Sequence, residues 1–356
     1  MNRSHEDLRT LLGAWALDAC PPDEAELLES HLPDCSSCSQ EAAQLRDAAG
    51  WLSADEPLDP EPGLRAAVLS RCLERRAPAI RVPEWAEPFV AETARLDALL
   101  RDLGELDWRE TVTLRWWNGT EECSPAEVLS HLAAVDGLLA PLLGLPDPAA
   151  GATEPAEGEL LAVRTAYLRR LNRSRSPETV RVAWRAQTRR LVERAALLGD
   201  TAGDRLVDYG AFQLPLRDAF LDRTFETWIH GEDIAEAVGY PVHPPRGPHL
   251  RQLVGLAVRM LPHLLGGLRP REEKPRVLRL LVEGRGGGEW LVPLDALEPP
   301  AAAADLEPTA TIAVDGVEFC QLCAGHTPPD RLPVGLTGDS ALAREVLRAV
   351  PLLSRP

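Results

Sequence analysis

The chain has 356 residues, 45% of them hydrophobic, which is enough for two or three domains with buried cores. A formal net charge of −17 and a pI near 5.0 exclude the basic footprint of a direct nucleic-acid binder; an acidic surface suits a basic partner instead, such as a DNA-binding protein. Seven cysteines, an odd number spread over a long chain, exclude a secreted disulfide framework and fit a reducing cytoplasm.

The first 52 residues read as helices. Ser4 with Asp7 three residues later forms a capping-box pattern, and Leu8, Leu11, Leu12 and Trp15 follow at helical spacing. Cys20-Pro21-Pro22 ends that helix. Asp23 opens a second, carrying Leu27, Leu28 and His31, and a third starts near Ser36. The acidic, Pro-rich stretch 53–62 reads as a linker, followed by a short fourth helix with Leu64, Val68 and Cys72 in phase.

Residues 84–240 read as long helices. Ser124-Pro125-Ala126-Glu127 combines an N-cap, a first-turn proline and a capping box ahead of His131. Two Arg-rich helices are expected at 159–172 and 176–199, with Arg185, Arg189, Arg190 and Arg194 as a solvated face. A last helix runs from Pro215 to Val238 and stops at Gly239. From 245 onward a helix at 247–267 precedes strand-like runs at 277–283, 289–293, 309–314 and 333–337. Helices near 315–324 and 340–349 complete an α+β module. No signal peptide is visible, and the apolar run at 137–143 is far too short to span a bilayer, so a soluble protein with no membrane association is expected.

Two groups of residues carry metal chemistry. His31-Leu-Pro-Asp-Cys35-Ser-Ser-Cys38 offers an imidazole and two thiolates at a spacing that suits tetrahedral Zn2+. The fourth ligand is either His5 or Cys20. In the second group, Glu226 and His230 stand four residues apart on one helix face, with Arg223 and Asp233 on the same side, and His131 stands on another helix. Read from spacing alone, this group is either a metal site or a buried salt-bridge network. Cys320-Gln-Leu-Cys323, with His326 three residues on, reads as a redox pair, a metal clip or, most simply, small buried helix residues.

On the His31–Cys38 motif and on Pro62-Gly63-Leu64-Arg65, residues 1–76 resemble the zinc-binding anti-sigma family. The resemblance implies His5 as fourth ligand, leaving Cys20 as a spare thiol or redox trigger. It also implies an extracytoplasmic-function sigma factor as partner. On His131, Glu226-Thr-Trp-Ile-His230 and the Gly-Glu-Asp233-Ile that follows, residues 84–240 resemble the DinB-like four-helix bundle of mycothiol-dependent maleylpyruvate isomerases. Residues 245–356 resemble the same family's α+β C-terminal domain. That resemblance implies a second divalent metal, zinc by its ligands, at His131, Glu226 and His230. It further implies mycothiol or another small thiol as ligand, and isomerase or S-transferase chemistry. His326, after Gly325, stands where the family carries an arginine. The expected architecture is mainly α: a helical zinc domain, a four-helix bundle and a small α+β domain. The expected function is a cytoplasmic anti-sigma factor with a thiol- or ligand-sensing metal domain, the alternative being a thiol-dependent enzyme.

Overall fold

Local capping sets the first helices. Ser4 and Asp7 exchange both bonds of a capping box at the start of α1 (His5–Thr10). The Leu11 N–H donates to the Leu8 carbonyl, a tighter i−3 bond, so the one expected helix becomes two, with α2 at Leu12–Ala16. The chain turns at Asp18, whose φ of 54° is left-handed, and enters α3 (Pro22–His31) with proline in the first turn. A 3-10 turn at Leu32–Asp34 leads to α4 (Ser36–Leu52), on which α2 packs. Leu8, Leu12, Leu28, Cys38 and Ala42 form the buried core of this unit.

The computed structural model describes residues 4–52, 64, 65, 68, 71, 81–156, 158–266, 276–295 and 307–354. The expected linker at 53–62 and Cys72 lie outside the described residues; 64, 65, 68 and 71 are helical, as expected for the fourth helix. Packing divides the chain into two units, 1–79 and 80–356.

In the second unit, α5 (Glu87–Asp102), α6 (Pro125–Asp136), α8 (Pro177–Leu198) and α9 (Leu216–Val238) form a closed ring of neighbours: α5 touches α8 and α9, and α6 touches the same two. This is a four-helix bundle, with α7 (Leu160–Asn172) laid against α6. Leu96, Leu100, Leu129, Leu132, Trp184 and Ile234 fill it. Ser124 and Glu127 close the second capping box and fix the start of α6. Gly239, with φ 66°, ends α9 in the left-handed conformation that a glycine C-cap supplies.

Two hairpins were not expected: β1 (Val112–Trp116) with β2 (Gly119–Cys123), in a stretch read as helical, and β3 (Leu206–Asp208) with β4 (Gln213–Pro215), between the helices expected at 176–199 and from Pro215. The signal for the first was present. Val112 and Leu114 are buried at alternate positions, and Trp117-Asn118 make the turn, with Gly119 opening β2 at a φ of 156°. The expected solvated arginine face also needs correction. Arg185 turns inward, donating to the Thr93 and Thr188 hydroxyls and lying 3.5 Å from the buried Asp97; Arg194 donates to the Leu143 carbonyl. Only Arg189 and Arg190 of that run are exposed.

After α10 (Gly247–Gly266), strands β5 (Val277–Glu283), β6 (Gly288–Pro293), β7 (Ala310–Asp315) and β8 (Gly335–Gly338) form one sheet in the order β6-β5-β7-β8. Only the β5–β7 pair is parallel. Helices α11 (Gly316–Cys323) and α12 (Ser340–Ala349) cover it. Leu221, Trp228 and Ile229 of α9 belong to the core beneath this sheet, while Ile234 and Ala235 belong to the bundle core. Helix α9 is therefore buried on both sides, and its polar residues need internal partners.

Burial raises the Glu92 carboxyl to about 7, against the pull of Arg95 at 3.1 Å. A carboxyl whose folded pKa is raised weakens the fold as pH climbs from its ordinary range through 7. Glu92→Gln is therefore expected to gain on the order of 1–3 kcal/mol over wild type at pH 8 and little at pH 4. Urea unfolding at the two pH values checks this; an equal effect at both would contradict it.

Two candidate metal centres

In the first unit the ligand set comes from four successive turns. His5 is the first residue of α1, His31 the last of α3, Cys35 follows the 3-10 turn, and Cys38 lies in the first turn of α4. All four donor atoms lie within 4.8 Å of one another. The His5 Nδ1 stands 3.8 Å from the Cys35 sulfur and 3.9 Å from that of Cys38. Tetrahedral zinc with ordinary bond lengths separates nitrogen and sulfur ligands by about 3.6 Å, so the two His5–cysteine separations come within a few tenths of an ångström of a zinc site. Cys20 stays outside the cluster, its thiol directed to the Leu11 carbonyl. The Ser37 hydroxyl, 3.2 Å away, and the Cys38 N–H lower the Cys35 thiol to about 6, which favours the ligating thiolate. Burial and the neighbouring Cys35 push Cys38 the other way.

The second cluster forms where α6 crosses α9. The Glu226 Oε2 lies 3.1 Å from the His230 Nε2 and 3.6 Å from the His131 Nε2. These bracket the separation of about 3.3 Å expected between nitrogen and oxygen ligands of one tetrahedral zinc. Both histidines are buried, and neither Nε2 has a well-directed hydrogen bond among the described residues. Their other ring nitrogens are held: the His131 Nδ1 is 3.0 Å from the Thr165 hydroxyl, and the His230 Nδ1 is 3.0 Å from the Asp233 Oδ2. Partners of this kind orient a metal-binding imidazole and fix its tautomer. Glu226 divides its oxygens, with Oε1 facing Arg223 at 3.8 Å and Oε2 facing the histidines.

The charges are balanced internally. Burial would raise the Glu226 carboxyl, yet the two histidines and Arg223 hold it well below the usual range. Burial would lower His230, but Asp233 and Glu226 outweigh it and raise it to about 9; for His131 burial wins and lowers it. One carboxylate between two such imidazoles fits a divalent cation with three protein ligands, and three leave a coordination position open.

The residues singled out around this cluster divide. Arg223, fully buried, pairs with Asp222 at 2.7 Å, and Asp233 holds His230. His326 lies 3.5 Å from Asp233 on the far side. It is set there by Gly325, where φ is 78° and an added Cβ would come within 2.7 Å of the Trp117 nitrogen. Thr165 had no sequence signal, because nothing in an amphipathic helix marks one threonine as facing a histidine. Cys320 and Cys323 are 0% and 2% exposed in the core beneath the sheet, and burial pushes both thiols up. A redox role needs an accessible thiolate, so the redox reading of this pair gives way to packing. In native protein treated with chelator, iodoacetamide is expected to reach Cys35 and Cys20 and to spare Cys123, Cys320 and Cys323 until denaturant is added. Peptide mass mapping reads the order, and early labelling of Cys320 or Cys323 would refute their burial.

No helix among the described residues is long and apolar enough to cross a membrane. A search of curated proteins gives no match. Among solved structures, the crystal structure of a histidine-to-alanine mutant of the mycothiol-dependent maleylpyruvate isomerase aligns at 14% identity with a TM-score of 0.45, covering 71% of this chain and 92% of the other. Residues 6–39 match the family described as "Putative zinc-finger" and residues 89–235 that described as "Mycothiol maleylpyruvate isomerase N-terminal domain". The chain thus joins a segment of the zinc-finger family to a segment of the isomerase N-terminal-domain family.

Proposed function

We propose that this protein is a cytoplasmic zinc-dependent anti-sigma factor whose bundle senses a thiol or other small ligand. The modules are 1–76 for sigma binding, 84–240 for the sensing metal and 245–356 for the α+β cover. The convergence of His5, His31, Cys35 and Cys38 on one point carries the reading. Around it, Leu17, Leu27 and Trp51 are exposed, with Trp51 at 87%. Exposed apolar side chains on a small metal-held helical unit suit a partner surface, and the chain's net charge of −17 suits a basic one such as a sigma factor. An extracytoplasmic-function sigma factor is the partner this family resemblance implies.

The second cluster supports the sensing role and also a second reading, a mycothiol-dependent isomerase or thiol S-transferase. His131, Glu226 and His230 would hold a divalent ion such as Zn2+, which would lower the pKa of a bound thiol. The chain's own contributions follow from geometry. Thr165 and Asp233 hold the two imidazoles, the histidines with Arg223 keep Glu226 ionised, and packing on α9 buries both imidazoles while leaving Glu226 partly exposed. In the sensor reading, ligand binding here and sigma binding at the first unit are linked, so each alters the other's affinity by the same factor.

Two measurements test this. Tagged protein purified from its own host is expected to bring down a sigma factor, and a His31→Ala/Cys35→Ala variant to lose it. Recovery of no sigma factor, with or without reductant, would move the assignment to the thiol-dependent enzyme. Elemental analysis is expected to find two zinc ions per chain, falling to one in Cys38→Ala and to one in His131→Ala. A single ion lost only with the cysteine would remove the bundle from the account.

A further inference from the structure

The bundle cluster opens toward a second space. A small cavity of about 30 Å3 reaches Glu226 and His230 between Arg115, Trp116 and Leu353. A larger one of about 340 Å3 lies between α9, α10 and the C-terminal 3-10 turn at Val350–Leu353. The two share Asp222, Phe225 and Leu353 in their walls. The larger volume is at the lower end of pockets that hold organic ligands, about 300–1,000 Å3.

Its wall is apolar. Leu253, Leu256, Ala257 and Met260 of α10 form one side, with Phe225 and Leu352 opposite. Gln213 and His263 supply polar atoms, and Asp222 brings a carboxylate. No arginine or lysine lines it among the described residues. Of the nearby arginines, Arg223 has no exposed surface and directs Nη2 to Asp222 at 2.7 Å, while Arg115, in the wall of the small cavity, pairs with Glu236 at 2.9 Å and lies 3.5 Å from Asp233. A dicarboxylate entering the larger cavity would leave water, meet Asp222, and find no cationic side chain of its wall to pair with. An uncharged apolar molecule meets none of these costs and gains from burial against ten or so aliphatic and aromatic groups.

We infer that this cavity binds an uncharged, apolar small molecule of one to three rings, presented to the metal cluster through the throat at Phe225 and Leu353. The inference rests on the reading of His131, Glu226 and His230 as a metal site, and it names the chemical class of ligand for that site. In the sensing role that molecule is the signal; in the enzymatic role it is the partner of the thiol. A small hydrophilic dicarboxylate is excluded from both.

The test uses the full chain and N-phenyl-1-naphthylamine, an uncharged apolar fluorophore. Wild type is expected to bind one probe per chain with enhanced emission, displaced by naphthalene and not by maleate at 100-fold higher concentration. Ala257→Trp fills the cavity from α10 and should weaken binding at least tenfold. Leu352→Arg acts from the half-exposed 3-10 turn, where a new side chain has room, and should weaken the probe similarly. Absence of binding to wild type, displacement by maleate, or unchanged affinity in Leu352→Arg would overturn the inference. Metal content of the same samples separates the two claims. Probe binding without a bundle metal would refute the metal assignment and leave the apolar site standing; a bundle metal without probe binding would do the reverse.

Discussion

A carboxylate with two imidazoles on one of its oxygens and a guanidinium near the other is the arrangement around which the second unit is built. Glu226, His131, His230 and Arg223 are packed where water is scarce, and removing one member of such a buried set commonly costs about 3–5 kcal/mol, because the others lose their compensation. That demand explains the neighbours. Asp222 takes up Arg223, Asp233 takes up His230, and Thr165 takes up His131. Each of these is a polar residue on an otherwise apolar seam, and each is there because the residue before it in the chain of partners must be satisfied.

The two candidate centres relate differently to folding. Among the described residues the first unit has five in its buried core cluster, few to hold four helices together, so an ion held by its four candidate ligands would contribute to the fold itself. The second unit has large apolar cores on both sides of α9, and its fold stands on them. There the three candidate ligands stand on a scaffold that already exists. This difference matches closed coordination by four ligands in one case and three ligands beside a cavity in the other.

Much of this was legible in the sequence. The spacing of His31, Cys35 and Cys38 announced the first centre, and Glu226 with His230 announced half of the second, because ligand chemistry and helical periodicity are both local. Both capping boxes were readable from Ser4 and Ser124. Bringing His131 to α9 depends on how α6 and α9 cross, which is tertiary; the sequence supplied it through family resemblance rather than periodicity. The hairpin at 112–123 was hidden because residues on both sides read as helix. Arg185 reads as surface by type, and it is Thr93 and Asp97 on another helix, with Thr188 on its own, that turn it inward.

The Ser354 hydroxyl accepts the Trp117 N–H at 3.1 Å, joining the segment that walls the cavity to the hairpin beside the cluster. One strand of that hairpin carries Arg115, which reaches Asp233, which in turn holds the His230 ring. The series runs from a cavity wall to the orientation of one imidazole with only a single flexible side chain in it. The position of the chain end at Ser354 and the position of the strand that carries Arg115 are therefore set together, by one hydrogen bond between two segments more than two hundred residues apart in sequence.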